Sequence, residues 1–203
     1  MNDCLIDYNH LLKCPDALDD TRMNRYGLIH TLYDMDIYKI HVEQDVGIYL
    51  HKEYYANGVQ SRRCIFIDGV PHGDYTETYE NGSIAYQCNY VHGLIQNSAY
   101  EFYPTGELFS ISHYVDNYRT DKYFEYYKDN SIYLICVFQN GKRNGKCLSF
   151  YQNGNREYEC YFRNDQLIGN YIYYNNDDAS TIKYQCNYDS ETLCENLIDL
   201  HVS

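Results

Sequence analysis

A spacing of 24 residues constrains this chain more than any other feature. Gly58, Gly82, Gly106, Asn130 and Gly154 stand one period apart, each preceded by Asn, Asp or Thr. Tyr55, Tyr79, Tyr103, Tyr127 and Tyr151 stand three places ahead of them. Such a period marks a tandem array, in which each unit packs on its neighbours and no central globular core is built. A second set of turn residues follows eleven positions after the first: Asp68-Gly69, His92-Gly93, Asp116-Asn117, Asn140-Gly141 and Asn164-Asp165. Two reversals per period predict two strands per unit. Both central positions of a type I′ turn need φ > 0, which Gly accepts freely and Asn better than most. The pairs Asn57-Gly58, Asn81-Gly82 and Asn153-Gly154 are therefore expected as two-residue type I′ turns.

The 27 Tyr and 7 Phe, with 3 Pro and no Trp, suit a pleated, half-buried surface. The fold class expected is all-β: an elongated antiparallel β-hairpin meander of about six 24-residue repeats over residues 27–188. The first repeat, 27–46, is degenerate, with Tyr33-Asp34 at the turn position and Ile40 and Val42 where Cys64 and Phe66 fall one unit later. In the last, Tyr184 to Tyr188 repeats Tyr86 to Tyr90 letter for letter at an offset of 98, where four periods give 96. A two-residue insertion follows, placed in the polar run Asn175 to Ser180. Residues 1–26 and 189–203 lack the period and are expected to cap the array. In the second of these, Ser190 is suited to starting a short helix with Leu193, Leu197 and Leu200 on one face.

Alternation indicates which face is dry. Ile84, Tyr86, Cys88 and Tyr90, then Ile132, Leu134, Cys136 and Phe138, then Tyr158, Cys160 and Phe162 form a candidate inner face. A two-residue turn at Asn81-Gly82 would set Tyr79 across from Ile84, and Tyr75 across from Cys88. Between the two tyrosines stands Glu77. With Glu53, Glu101 and Glu125 it makes an acidic row, broken where Ser149 takes the same position. Each carboxylate is expected to accept a phenol hydrogen bond or to lie at an open edge. The candidate binding residues are the periodic aromatics Tyr55, Tyr79, Tyr103, Tyr127 and Tyr151, since tyrosine offers rigid contact area and one hydroxyl.

The nine cysteines bear on compartment. Cys64, Cys88, Cys136 and Cys160 share one position of the period, so they stand at least two strands apart, about 9.6 Å. Bridged Cα atoms lie within roughly 7 Å. These four are expected to be reduced, buried thiols in a cytoplasmic protein that is not secreted. No CxxC occurs, and no metal site or cofactor is expected. The formal charge of −13 disfavours a nucleic-acid partner, and Arg62-Arg63 and Lys142-Arg143 fall short of the clusters that anionic lipid attracts. No GxSxG, P-loop, HExxH or GxGxxG motif is present. Gly141 to Gly145 is turn chemistry at a repeated position, and no catalytic residue is assigned.

The pattern Tyr79-Glu80-Asn81-Gly82, with Asp68-Gly69-Val70-Pro71-His72-Gly73 and Asn140-Gly141-Lys142-Arg143-Asn144-Gly145, resembles the second variant of the MORN repeat. That variant is found in bacterial antitoxin-like proteins of the YwqK type. The resemblance runs over about Gly27 to Tyr188, with Asn97, Asp121, Asn130 and Asp178 standing where the family has Gly. It implies a hairpin meander with one face forming a groove, and a role in protein interaction, self-association or scaffolding. Phospholipid binding at a membrane surface and antitoxin-like neutralisation of a partner are the alternatives it implies.

Overall fold

Backbone conformation repeats as strictly as sequence does. The computed structural model describes residues 39–45, 47–177 and 181–188, with side chains from Gly47 onward. Asp68 and Gly69, His92 and Gly93, Asp116 and Asn117, Asn140 and Gly141, and Asn164 and Asp165 all take positive φ, between 49° and 81°. These five pairs are the two-residue turns, closing Ile67 on Val70, Val91 on Leu94, Val115 on Tyr118, Gln139 on Lys142 and Arg163 on Gln166.

The Asn-Gly set behaves differently from expectation. Only the second residue has positive φ (Gly58, Gly82, Gly106, Asn130, Gly154), so these are not type I′ turns. The Tyr79 N–H donates to the Ser83 carbonyl and the Gly82 N–H to the Tyr79 carbonyl, giving a longer loop. Asn81 Oδ1 accepts the Ser83 N–H, and its amide donates to the Pro104 carbonyl of the next loop. The loop is thus built around a contact between units, which a single hairpin does not show. As a result Thr78 pairs with Ile84, not Tyr79, and the register shifts by one before Glu77 pairs with Tyr86. Tyr75 does face Cys88. Ile84 and Ile132, beyond the shift, are each 38% exposed, so the dry face begins two residues later.

The described residues form thirteen strands: β1 Lys39–Asp45, β2 Ile48–Tyr54, β3 Gln60–Ile67, β4 Val70–Thr78, β5 Ile84–Val91, β6 Leu94–Phe102, β7 Leu108–Val115, β8 Tyr118–Tyr126, β9 Ile132–Gln139, β10 Lys142–Phe150, β11 Arg156–Arg163, β12 Gln166–Tyr174 and β13 Ile182–Tyr188. They form one antiparallel sheet in chain order, and no helix occurs among the described residues. The even-numbered strands from β4 onward carry a second positive-φ residue at Gly73, Asn97, Asp121, Gly145 and Gly169, where the register to the preceding strand shifts. Asn97, Asp121 and Asn130 keep the conformation of the glycines they replace, so the units stay regular. Asn and Asp are the side chains that tolerate this region.

At the first repeat the period fails. Gly47 (φ +85°) turns the chain so that Val42 pairs with His51 and Ile40 with Glu53. Val42 therefore stands across the strand position that Cys64 also faces, two residues later than the period predicts. In the last hairpin the Asn175 N–H donates to the Thr181 carbonyl, a closure two residues longer than Tyr151 to Asn155, which matches the expected insertion. The proposed caps 1–26 and 189–203, the Tyr33-Asp34 turn and Asp178 lie outside the described residues.

The packed face carries Cys64, Cys88, Ala99, Ser112, Tyr123, Cys136, Cys147, Cys160, Tyr171 and Cys186, none more than 6% exposed. One cysteine expectation is corrected. Cys136 is disulfide-bonded to Cys147, which faces it on the adjacent strand at a Cα separation of 4.3 Å. Cys147 breaks the period, since the unit before has Tyr123 there, so comparing only same-position cysteines misses it.

Candidate functional site

The five periodic tyrosines lie just past the ends of even-numbered strands, where each reaches the next unit. The hydroxyl of Tyr79 donates to the Phe102 carbonyl (2.7 Å), Tyr103 to Tyr126 (2.8 Å), Tyr127 to Phe150 (2.8 Å) and Tyr151 to Tyr174 (3.0 Å). Tyr55 makes the same bond to Thr78. The rings pack locally, Tyr103 on Phe109 and Tyr127 on Tyr133, both at 5.2 Å between centroids. Desolvation first, and Glu101 or Glu157 second, push the Tyr79 and Tyr127 phenols up to about 12. A net stabilisation of about 1 kcal/mol per hydrogen bond makes this row a staple between units.

The acidic row is real as a geometric object. Glu53, Arg62, Glu77, Tyr86, Glu101, Ser110, Glu125 and Leu134 face one another strand by strand. Burial would cost each carboxylate dearly without partners, and each has one. Glu53 meets Arg62 at 3.2 Å and His51 at 2.9 Å, and Arg62 also reaches Glu77 at 3.3 Å. Tyr75 donates to Glu77, Ser110 to Glu101 (3.0 Å) and Tyr123 to Glu125 (2.6 Å). At the break, Ser149 donates instead to Glu157 (2.6 Å). Burial and the neighbouring Glu125 raise the Tyr123 phenol well above its usual range, keeping it a donor. Burial likewise lifts the Cys88 thiol to about 11.

Two features escaped the sequence reading. Arg119 stacks over Tyr123 and Phe138 at 4.6 and 5.0 Å, and Arg143 over Phe162 at 3.9 Å. On the opposite face, Tyr100, Ile111, Phe124, Ile135 and Leu148 pair in unbroken register across β6 to β10. Tyr100 is 37% exposed and the other four are part-exposed. Polar positions continue this row on both sides: Gln87, Thr76 and Arg63 before it, Glu159 after it. The available signal was alternation itself, read one residue out of phase with the dry face. Among the described residues no group of His, Cys, Asp or Glu is arranged to hold a metal ion.

The family model for the MORN repeat variant matches residues 71–92, 97–116 and 143–164. These three segments are MORN repeats of that variant. The matched segments begin within an even-numbered strand and end in the two-residue turn after the next strand, as 71–92 does from Pro71 to His92. No curated protein matches the chain. MORN repeats occur in protein- and membrane-binding scaffolds and are generally non-enzymatic.

Proposed function

We propose that this MORN array is a non-enzymatic protein-interaction or scaffolding module that docks a partner protein on its open face, across β6 to β10. One observation carries the reading: five apolar side chains stand in register, part-exposed, on the face opposite the packed one. Aromatic and aliphatic residues grouped this way are what a protein interface buries at its centre. The periodic tyrosines then serve as the frame, their rings adding contact area while their hydroxyls hold the units together. The charge of −13 argues against nucleic acid as the partner. A cytoplasmic setting fits the buried thiols of Cys64 and Cys88, and the Cys136–Cys147 bond is shielded at 0% exposure from soluble reductants.

The test is a comparison of proteins retained by the wild-type chain and by a Phe124→Ser/Ile135→Ser variant of equal melting temperature. A partner, or a second copy seen by light scattering, that is lost with the variant supports the reading. Equal retention by both overturns it. Phospholipid binding is the second reading, favoured by Lys122 and Lys146 beside the apolar row. Salt-sensitive co-sedimentation with phosphoinositide vesicles would put it first. Antitoxin-like neutralisation is one form of protein binding and would show as inhibition of the captured partner.

A further inference from the structure

The repeats serve as one another's controls: Gly69, Gly93 and Gly141 all stand at the second position of the tight turn, and of these Gly141 is the one whose neighbour across the turn is an arginine. Arg143 and Arg119 stand 24 residues apart, each next to the turn-closing residue of its hairpin. Asp165, the second turn residue of the following hairpin, completes the Arg143 position. Its Oδ1 accepts from the Arg143 backbone N–H (2.8 Å) and from its Nε (3.2 Å). One unit before Arg119, Asn117 does the corresponding job for Ile95, accepting its N–H at 2.6 Å. Between these two stands Gly141, which has no side chain to offer. Its N–H donates to the Arg119 carbonyl at 2.8 Å, as the Asp165 N–H does to Arg143, so the two backbones are placed alike.

Arg119 is thereby left a cation without its carboxylate. Its guanidinium is stacked on Tyr123 and Phe138 and, among the described residues, donates once, to the Tyr114 hydroxyl at 3.2 Å, while its buried Nε has no acceptor among them. Glu101 and Glu125 lie on the same face, but both already accept a hydroxyl, and neither forms an ion pair with Arg119. A buried donor without an acceptor costs free energy, and a guanidinium matches a carboxylate in both charge and shape. A β-carbon added at Gly141 would stand 3.4 Å from Cδ1 of Tyr118, a side chain 60% exposed. An incoming group would thus meet a movable ring rather than backbone.

We propose that Arg119, at the place Gly141 leaves vacant, is a binding site for a carboxylate supplied from outside the array. Asp165 at Arg143 shows the geometry of the filled site. This inference does not depend on the open-face reading, since Arg119 lies on the packed side of the sheet.

The test uses the full chain labelled with 15N-arginine, the Arg119 Nε–H resonance being identified by its loss in Arg119→Lys. Acetate, and separately a blocked Gly-Asp-Gly peptide, should shift that resonance saturably while chloride at equal ionic strength does not. The Arg143 resonance should stay put. Half-saturation at lower concentration by the peptide assigns the ligand to an acidic protein side chain; equal half-saturation assigns it to small carboxylates. Gly141→Asp installs the missing group within the chain, so its Arg119 resonance should start near the acetate-bound position and no longer respond. Should that variant not fold, melting temperature decides: acetate should raise it over chloride in the wild type and not in Arg119→Lys. Equal responses to acetate and chloride, or a response that survives either substitution, overturn the proposal.

Discussion

The two faces of one sheet differ more than their shared backbone suggests. In β9, Leu134 and Ile135 are neighbours in sequence; Leu134 is 0% exposed and Ile135 part-exposed on the other side. Around Leu134 lie Glu125 and Ser149, both at 2% or less, with hydroxyls donating to carboxylates. Around Ile135 lie Phe124 and Leu148, with no polar group between them. At this point of the sheet the buried side sets polar groups beside Leu134, while the open side holds a continuous apolar row. Apolar side chains are thus not confined to the buried side. An apolar row left on the open side is the feature on which the proposed docking face rests.

The largest effect that tests this division is alkaline unfolding. The Tyr79 and Tyr127 phenols titrate at about 12, and Tyr55, Tyr75, Tyr86 and Tyr123 are also raised by desolvation first. A pKa raised by folding means that the neutral phenol is the form the fold favours. The stability it contributes is fully present below the unfolded value, about 10, and is lost as pH rises through the folded value. Urea midpoints should therefore hold steady to about pH 9.5 and fall steeply between about 10 and 12. A midpoint unchanged at pH 11.5 would mean that the packed-face tyrosines are not neutral donors. Next in size is Leu134→Ala, expected to cost about 3 kcal/mol in urea denaturation. A cost under about 1 kcal/mol would show that face to be loosely packed. Smaller again is Tyr103→Phe, which removes the hydroxyl bonded to Tyr126 and should cost about 1 kcal/mol. Equal stability with a lost partner would instead make that hydroxyl part of the binding surface.

What the sequence disclosed was what the backbone needs. The 24-residue ruler, two strands per unit and the left-handed residues at Asn117 and Asn130 were readable because φ > 0 admits few residue types. The choice of which turn is tight was not. Asn-Gly occurs in both sets, and the Asn81 amide reaching the Pro104 carbonyl is a contact across units that no local rule encodes. The open row was harder to see because its positions are apolar only in the middle units: Thr76, Gln87 and Glu159 stand one period from Tyr100, Ile111 and Ile135. The acidic row was legible because Glu recurs at one position, and so was its pairing with phenols at Glu77 and Glu125. The disulfide was hidden for the opposite reason, Cys147 being an exception to the period.

The smallest effect on stability should come from the open face, and there the comparison is sharpest. Phe124 and Ile135 face each other at the centre of the row, each part-exposed, so replacing them with Ser removes less buried area than a change at the fully enclosed Leu134. Each change is expected to cost less than about 1 kcal/mol. A partner that covers the row would lose far more, because truncated residues at the centre of an interface often cost about 2 kcal/mol or above, some thirtyfold in Kd. Urea denaturation and a binding isotherm on the same double variant therefore separate the two faces directly. If stability falls by several kcal/mol while binding is unchanged, the row belongs to the fold after all, and its place on the open face has no bearing on function.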